Sequence, residues 1–486
     1  MVSIDTYNEI VGELYKTNPE LFMYSPAFCR CEGQTRLYEA WKTGETGTPL
    51  RFGYSVVKFF AKAARDVFYS LLSGRADLKE FPKDGVLLCS YFDRRNNASG
   101  VLREEYLRNI PENEPDVVCV YKLVNPGFMS TGPAYIRLLR RLRKPFKAIT
   151  EHDLVTIPKV VRATLKTIRH AAKLRSIRLP EHLNKTIVSL VLWMHYRECI
   201  DGTVYANYLL ESVYEKMLSL QPRVLLSVWE NQPWERILET CKKRISPQAV
   251  SVGFQHTGFS KKLLQHFPSS HEVNLPSYPD IIFCNGTVNR DELAKNPAFT
   301  SRVRVGGALR QDSILSKGVP EIRPLRANEL KHIALAFPWD QSVYQRILDD
   351  LTQVPNYINV HLKFHPDYPS WCDYKPSAKH LHVSRKSWAE LSKECSLVLA
   401  NDNSLMFEGF YYGMHTAVYD VGAEGEKRDF SSPLAHLTRD HLKNLSSEAS
   451  LSVINASTKA VIEGGYLSDY FSEVDISSAK ARFLRP

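Results

Sequence analysis

The chain has 486 residues, 44% of them hydrophobic and 24% charged, a profile that excludes a disordered, collagen-like or fibrous protein. A single hydrophobic core stops growing at roughly 250–300 residues, so two domains are the first expectation. Lysine and arginine outnumber aspartate and glutamate by 63 to 53, a net charge of +10 that attracts polyanions.

The N-terminus, MVSIDTYNEIVGELYK, carries charges where a signal peptide needs an apolar run, and Ile187–Met194 is the longest apolar stretch, far short of the ~20 residues of a membrane span. A cytoplasmic location is expected. The nine cysteines are scattered, with only Cys29 and Cys31 close together, so no zinc framework is expected and a reducing compartment fits. Residues 1–80 read as a helical segment. Its clearest part is YSVVKFFAKAARDVFYSLL at 54–72, with Gly74 as a stop.

From residue 81 short apolar runs alternate with helical stretches. The runs are GVLLCSYF (85–92), DVVCVYKLV (116–124), RVLLSVWE (223–230), AVSVGFQH (249–256), DIIFCNG (280–286) and RVRVGGALR (302–310). Strands separated by helices predict a parallel sheet. A basic helical insertion lies near 137–178, where Val160, Val161, Leu165, Ile168, Ala172 and Leu174 recur at helical spacing with cations between them. A solvated face and an anionic membrane surface touched by helix 158–178 are both open readings. Nucleic acid is not expected, because interleaved aromatics are missing and no RNP, zinc-finger or KH signature is present.

After a polar linker near 310–328 the alternation resumes. HIALAFPWD (332–340), INVHLKFHP (358–366), HLHVS (380–384), SLVLAND (396–402) and TAVYDVG (416–422) are the second set of strands. The expected fold class is α/β, with two Rossmann-like doubly wound parallel-sheet domains facing a cleft. The first spans 81–315, with segment 1–80 packed on it, and the second spans 316–486.

Ligands in such sheets bind beyond the carboxyl ends of strands, which selects the candidate residues. In the first domain these are Glu230 and His256, with Asp93, Asn231, Glu235, Gln255, Gly258, Gly307 and Arg310 as further cleft candidates. A carboxylate such as Glu230 at that edge can act as base or nucleophile, or cap a helix; an imidazole can bind an anion or move a proton. In the second domain His365 and Pro366 follow one strand, and Asn403 and Ser404 follow another and open a helix that carries Glu408 one turn on. Ser404 at a helix start can offer its hydroxyl and main-chain N–H groups to a phosphate, and Glu408 can accept from a ribose.

This HP-plus-serine pattern resembles the donor domain of GT-B glycosyltransferases that use CMP-activated sugars. From SVWENQPWER through GFQHTGF, PDIIFCNG and VGGALR the chain is similar to bacterial surface carbohydrate proteins related to retaining β-Kdo transferases, over roughly residues 84–420. The resemblance implies transfer of Kdo or a related ulosonic acid from CMP to a surface glycan or glycolipid. It would have His365 and Ser404 hold the phosphate, Glu408 the ribose, Glu230 act as the catalytic carboxylate, and His256 lie beside the donor carboxylate or the acceptor hydroxyl. The Asp/Glu-Asp/Glu-Gly base motif of sialyltransferases is missing. No cofactor and no metal are expected, since no D-x-D ends a strand and a single leaving phosphate needs less neutralisation than a diphosphate. A GT-B-like transferase or epimerase using UDP, GDP or CDP, and a catalytically silent basic binding protein, are the alternatives.

Overall fold

The structure is a computed structural model of the chain. The description covers residues 4–26, 52–73, 78, 81–92, 104, 106–107, 114, 116–123, 147–177, 185–255, 264–338, 341–365, 368–401, 404–420, 433–473 and 482–483. Asp93, His256, Gly258, Pro366 and Asn403 lie outside the described residues.

Helices α1 (Ile4–Thr17) and α2 (Phe52–Ser73) open the chain. β1 (Val86–Phe92), β2 (Val117–Leu123) and β3 (Lys147–Thr150) follow, then a 3-10 turn at Glu151–Leu154 and helices α3 (Ile157–Leu174), α4 (Lys185–Ile200) and α5 (Thr203–Leu218). β4 (Val224–Val228), α6 (Pro233–Ile245), β5 (Val250–Phe254), β6 (Ile281–Cys284), α7 (Thr287–Ala294) and β7 (Val303–Val305) complete the first sheet region. All strand pairings are parallel and the order is β3-β2-β1-β4-β5-β6-β7. Strands such as VLLSV in β4 are apolar and buried along their whole length, as a sheet covered on both faces requires.

The second sheet repeats this plan. β8 (His332–Ala336), β9 (Asn359–Lys363), β10 (Leu381–Val383), β11 (Leu397–Ala400), β12 (His415–Tyr419) and β13 (Ala435–Leu437) stand in the order β10-β9-β8-β11-β12-β13, again all parallel. Among the helices on it are α8 (Tyr344–Leu351), α9 (Leu405–Tyr411), α10 (Glu448–Glu463) and α11 (Tyr466–Tyr470). Both sheets are therefore doubly wound, with strand order reversing at β1/β4 and at β8/β11. Crevices open at the carboxyl ends of such switch points.

Every strand read from the sequence is present, and two more appear. β3 lies inside the basic stretch RKPFKAIT, where cations mask its apolar pattern, and β13 follows a polar segment with little strand signal. The basic helix also departs from the expected pattern. Val160 and Leu174 are buried, whereas Val161, Leu165 and Ile168 are about half exposed.

The two sheet regions touch through the C-terminal segment. An added Cβ on Gly286 would meet the Asp469 carbonyl oxygen at 2.2 Å; the Thr287 hydroxyl donates to Asp469 Oδ1 at 3.0 Å. Phe483 returns to the first core, its ring 5.6 Å from Phe254 and 4.6 Å from Phe283.

Candidate functional site

The chain leaves β4 at Val228 and turns sharply into α6. Asn231 takes a left-handed conformation (φ 57°), which asparagine tolerates better than most side chains. It is fully buried, its Nδ2 donating to the Gln265 carbonyl at 2.5 Å and its Oδ1 accepting from Arg236 Nε at 3.0 Å. Asn231 thus fixes the turn and leaves the edge to its neighbours. Pro233 at the helix start pre-sets the backbone for α6.

Within that turn Glu235 folds back on the strand end. Its Oε2 accepts from the Glu230 main-chain N–H at 2.9 Å, while Oε1 is buried without a hydrogen bond. Burial, and then the nearby Glu230 charge, push the Glu235 carboxyl well above its ordinary range, against the pull of the main-chain N–H groups of residues 230–232. Burial thus favours the neutral form of Glu235, whereas Glu230 stays half-buried at the same edge.

Beside this turn is a cavity of about 280 Å³. Tyr91 of β1, Lys122 of β2, Glu151 and His152 after β3, and Gln232 and Trp234 after β4 line it from the sheet edge; Lys62, Arg65 and Asp66 of α2 and Thr203 and Asn207 of α5 line it from the helices. The Trp234 indole N–H donates to the Tyr91 hydroxyl at 2.7 Å, and Lys122 Nζ stands 5.3 Å over the indole. Burial beside Glu230 and Glu235 raises the Tyr91 phenol.

Burial raises Asp66 too, but a hydrogen bond from His152 and the charge of Arg65 more than reverse it, so this acid is held below its ordinary range. Arg65 Nη2 lies 2.9 Å from Asp66 Oδ1, and the Tyr205 hydroxyl donates to Oδ2 at 3.2 Å. Burial raises Glu151, whose Oε2 makes no hydrogen bond, and lowers Lys62. The lining mixes cations, acids, amides and hydroxyls. Such a wall can hydrogen bond a polyhydroxylated ligand.

Next along the edge, the buried Gln255 accepts at Oε1 from the Asn285 N–H at 3.2 Å. Gly307 takes φ 91° and Arg310 lies 5.8 Å over the Tyr106 ring. At the second switch point Ser404 ends the turn after β11, and its carbonyl caps α9 by accepting from the Phe407 and Glu408 N–H groups, both at 3.0 Å. Glu408 Oε1 accepts from Gln311 Nε2 at 3.1 Å, joining the linker to α9. His365, half-buried after β9, accepts at its carbonyl from the Tyr368 N–H at 3.0 Å.

Glu230 and Glu235 are thus adjacent, and His365 and Ser404 follow two strands of the other sheet. Lys62, Arg65, Asp66, Lys122, Glu151 and His152 are not among the residues selected by the strand-end rule or the motifs. Lys122 ends a recognised strand and was findable by the same edge rule; Glu151 and His152 required β3. Among the described residues no cluster of His, Cys, Asp or Glu could hold a metal ion.

No family model and no curated protein matches the chain. Among solved structures it is similar to MnaA of S. aureus with UDP, at 10% identity over 80% of this chain and 99% of that one, with a TM-score of 0.41. It is similar to the calicheamicin glycosyltransferase CalG4 at 10% identity, 83% and 100% coverage and a TM-score of 0.40. The wall teichoic acid polymerase TagF (H548A) gives 11% identity, 89% and 96% coverage and a TM-score of 0.39.

Proposed function

We propose that this chain is a glycosyltransferase that moves a sugar, Kdo or a related ulosonic acid, from a CMP-activated donor to a surface polysaccharide or glycolipid acceptor. The observation that supports this reading is the pairing of two switch points. A half-buried carboxylate residue, Glu230, follows β4 in one sheet, and Ser404 ends the turn after β11 in the other, with His365 after β9. In this reading His365, Pro366, Asn403 and Ser404 take the nucleotide phosphate, Glu408 the ribose, and the mixed-polarity cavity the acceptor.

Glu230 attacks the anomeric carbon as the bond to the CMP phosphate breaks, its electron pair leaving with CMP. The acceptor hydroxyl then displaces Glu230 and, in this reading, passes its proton to His256. Neutral Glu235 keeps the second negative charge away from the nucleophile. The enzyme works without a metal, in the cytoplasm, on an acceptor carried at the inner membrane face.

The Glu230–Glu235 pair favours one second reading, a nucleotide-sugar epimerase, because paired carboxyl groups can remove and return a proton. A thermal-shift series separates the two. CMP or CTP stabilising the protein more than UMP, UDP or GDP supports the transferase, about 2.7 kcal/mol being gained at ~100 Kd of ligand. A larger shift with UDP, together with conversion of a UDP-sugar to its C2 epimer by NMR, establishes the epimerase instead.

A further inference from the structure

Helix α3 presents three faces. At 100° per residue, Val160, Ala163, Thr167, His170 and Leu174 fall on one side and are buried. Ile157, Val161, Leu165 and Ile168 fall within an arc of about 80° and are 44–55% exposed. Arg162, Arg169 and Lys173, all exposed, occupy the arc between them. A helix that only covers a core needs one apolar face. This one has a second, facing solvent, with a cationic ridge along its flank and no acidic residue from Ile157 to Leu174.

The same feature recurs next door. Helix α2 packs against α3 and α4, and its Val57, Phe60, Phe68 and Leu71 are 51–67% exposed. Trp193 of α4 is exposed as well, with the Arg197 guanidinium 5.8 Å from its ring. Of the eleven large hydrophobic side chains exposed among the described residues, four lie on α2, four on α3 and one on α4; the other two are Tyr357 and Val453. Scattered exposed apolar side chains need no explanation, but a concentration on three packed helices marks an interaction surface.

From this arrangement we infer that α2, α3 and α4 form a membrane-docking face. The apolar ridge of α3 enters the headgroup boundary of an anionic bilayer, and Arg162, Arg169 and Lys173 pair with lipid phosphates at its rim. Apolar burial and charge attraction then act together, as for helices that lie in the plane of the interface. No described helix is long and apolar enough to cross a membrane, so the protein lies on the bilayer through this face. The inference takes from the proposed function only the expectation of a membrane-borne acceptor.

The test is flotation of the full chain, without nucleotide, with vesicles of phosphatidylcholine alone or with about 30% phosphatidylglycerol. Wild type is expected to bind the anionic vesicles at least ~10-fold better and to be partly released by salt. The triple variant Val161→Ser, Leu165→Ser, Ile168→Ser keeps every charge, and its sites are exposed; it is expected to lose at least ~10-fold in binding with an unchanged melting temperature. Leu165→Trp gives a second readout, fluorescence quenched by lipids brominated in the acyl chain. Wild-type-like binding by the triple variant, or no quenching in Leu165→Trp, overturns insertion of the ridge. So does a wild-type dimer that the triple variant turns into monomer, since a second copy then covers the face. Donor turnover on a soluble acceptor stays normal in the triple variant if the transferase reading holds, so failures of the two readings are distinguishable.

Discussion

Replacing Glu239 by glutamine isolates a single buried titratable group. The residue sits on α6 with 2% of its surface exposed, and neither carboxyl oxygen has a hydrogen-bond partner. Burial pushes its carboxyl from 4.5 up to about 7, and the nearby Ser251 hydroxyl and Lys242 ammonium offset part of that rise. Between pH 4.5 and about 7 the folded chain therefore holds a proton that the unfolded chain has released. Stability contributed by this group is complete below pH 4.5 and is lost as pH rises through about 7. A difference of 7 minus 4.5, at 1.36 kcal/mol per unit, amounts to about 3 kcal/mol. Glutamine cannot ionise and keeps the shape, so Glu239→Gln should gain on wild type by about 3 kcal/mol between pH 5 and 8. For a domain of this size that is a relative rise in melting temperature of roughly 6–12 °C. Differential scanning of both proteins across that pH range reads it directly. A difference that stays flat, or that shrinks as pH rises, would refute the assignment of a neutral buried carboxyl.

Glu230→Gln preserves shape while removing charge, so nucleotide affinity by calorimetry should persist while turnover drops at least ~100-fold; near-normal turnover removes Glu230 from the chemistry. His365→Ala should raise the nucleotide Kd by about 10- to 150-fold, the loss of one charge-assisted hydrogen bond, with an unchanged melting temperature, and an unaltered Kd would make His365 structural. Gly286→Val should loosen α11 and the following segment, since its Cβ would lie 2.2 Å from the Asp469 carbonyl oxygen; hydrogen exchange of residues 466–472 should quicken, and native-like protection there would show that the backbone accommodates the side chain.

How far the sequence carried depended on how each signal is written along the chain. β4, β5 and β11 are continuous apolar runs ending in polar residues, so their place in parallel sheets and the position of Glu230 and Ser404 at strand ends were legible. Strand order is a long-range property, and the fact that β4 and β11 each stand at a switch point came only from the fold. β3 was missed because lysine and arginine interrupt its pattern, and with it went Glu151 and His152, which belong to the cavity. Asn231 looked like an edge residue; its left-handed backbone and its bonds to Arg236 and Gln265 make it part of the scaffold. The apolar residues of α3 recur at helical spacing whichever side they face, so periodicity alone could not say that Val161, Leu165 and Ile168 point away from the core. The raised pKa of Glu235 depends on burial, which a linear spacing of five residues from Glu230 does not contain.

The proposed function has this chain consume a CMP-linked sugar through Glu230. The direct measurement is release of CMP from a CMP-ulosonic acid, followed by chromatography for wild type and Glu230→Gln with a glycan acceptor present. Wild type is expected to release CMP and form a matching glycosylated product, and the variant to do both at least ~100-fold more slowly. Failure of wild type to release CMP from that donor, while it turns over a UDP-sugar, would contradict it.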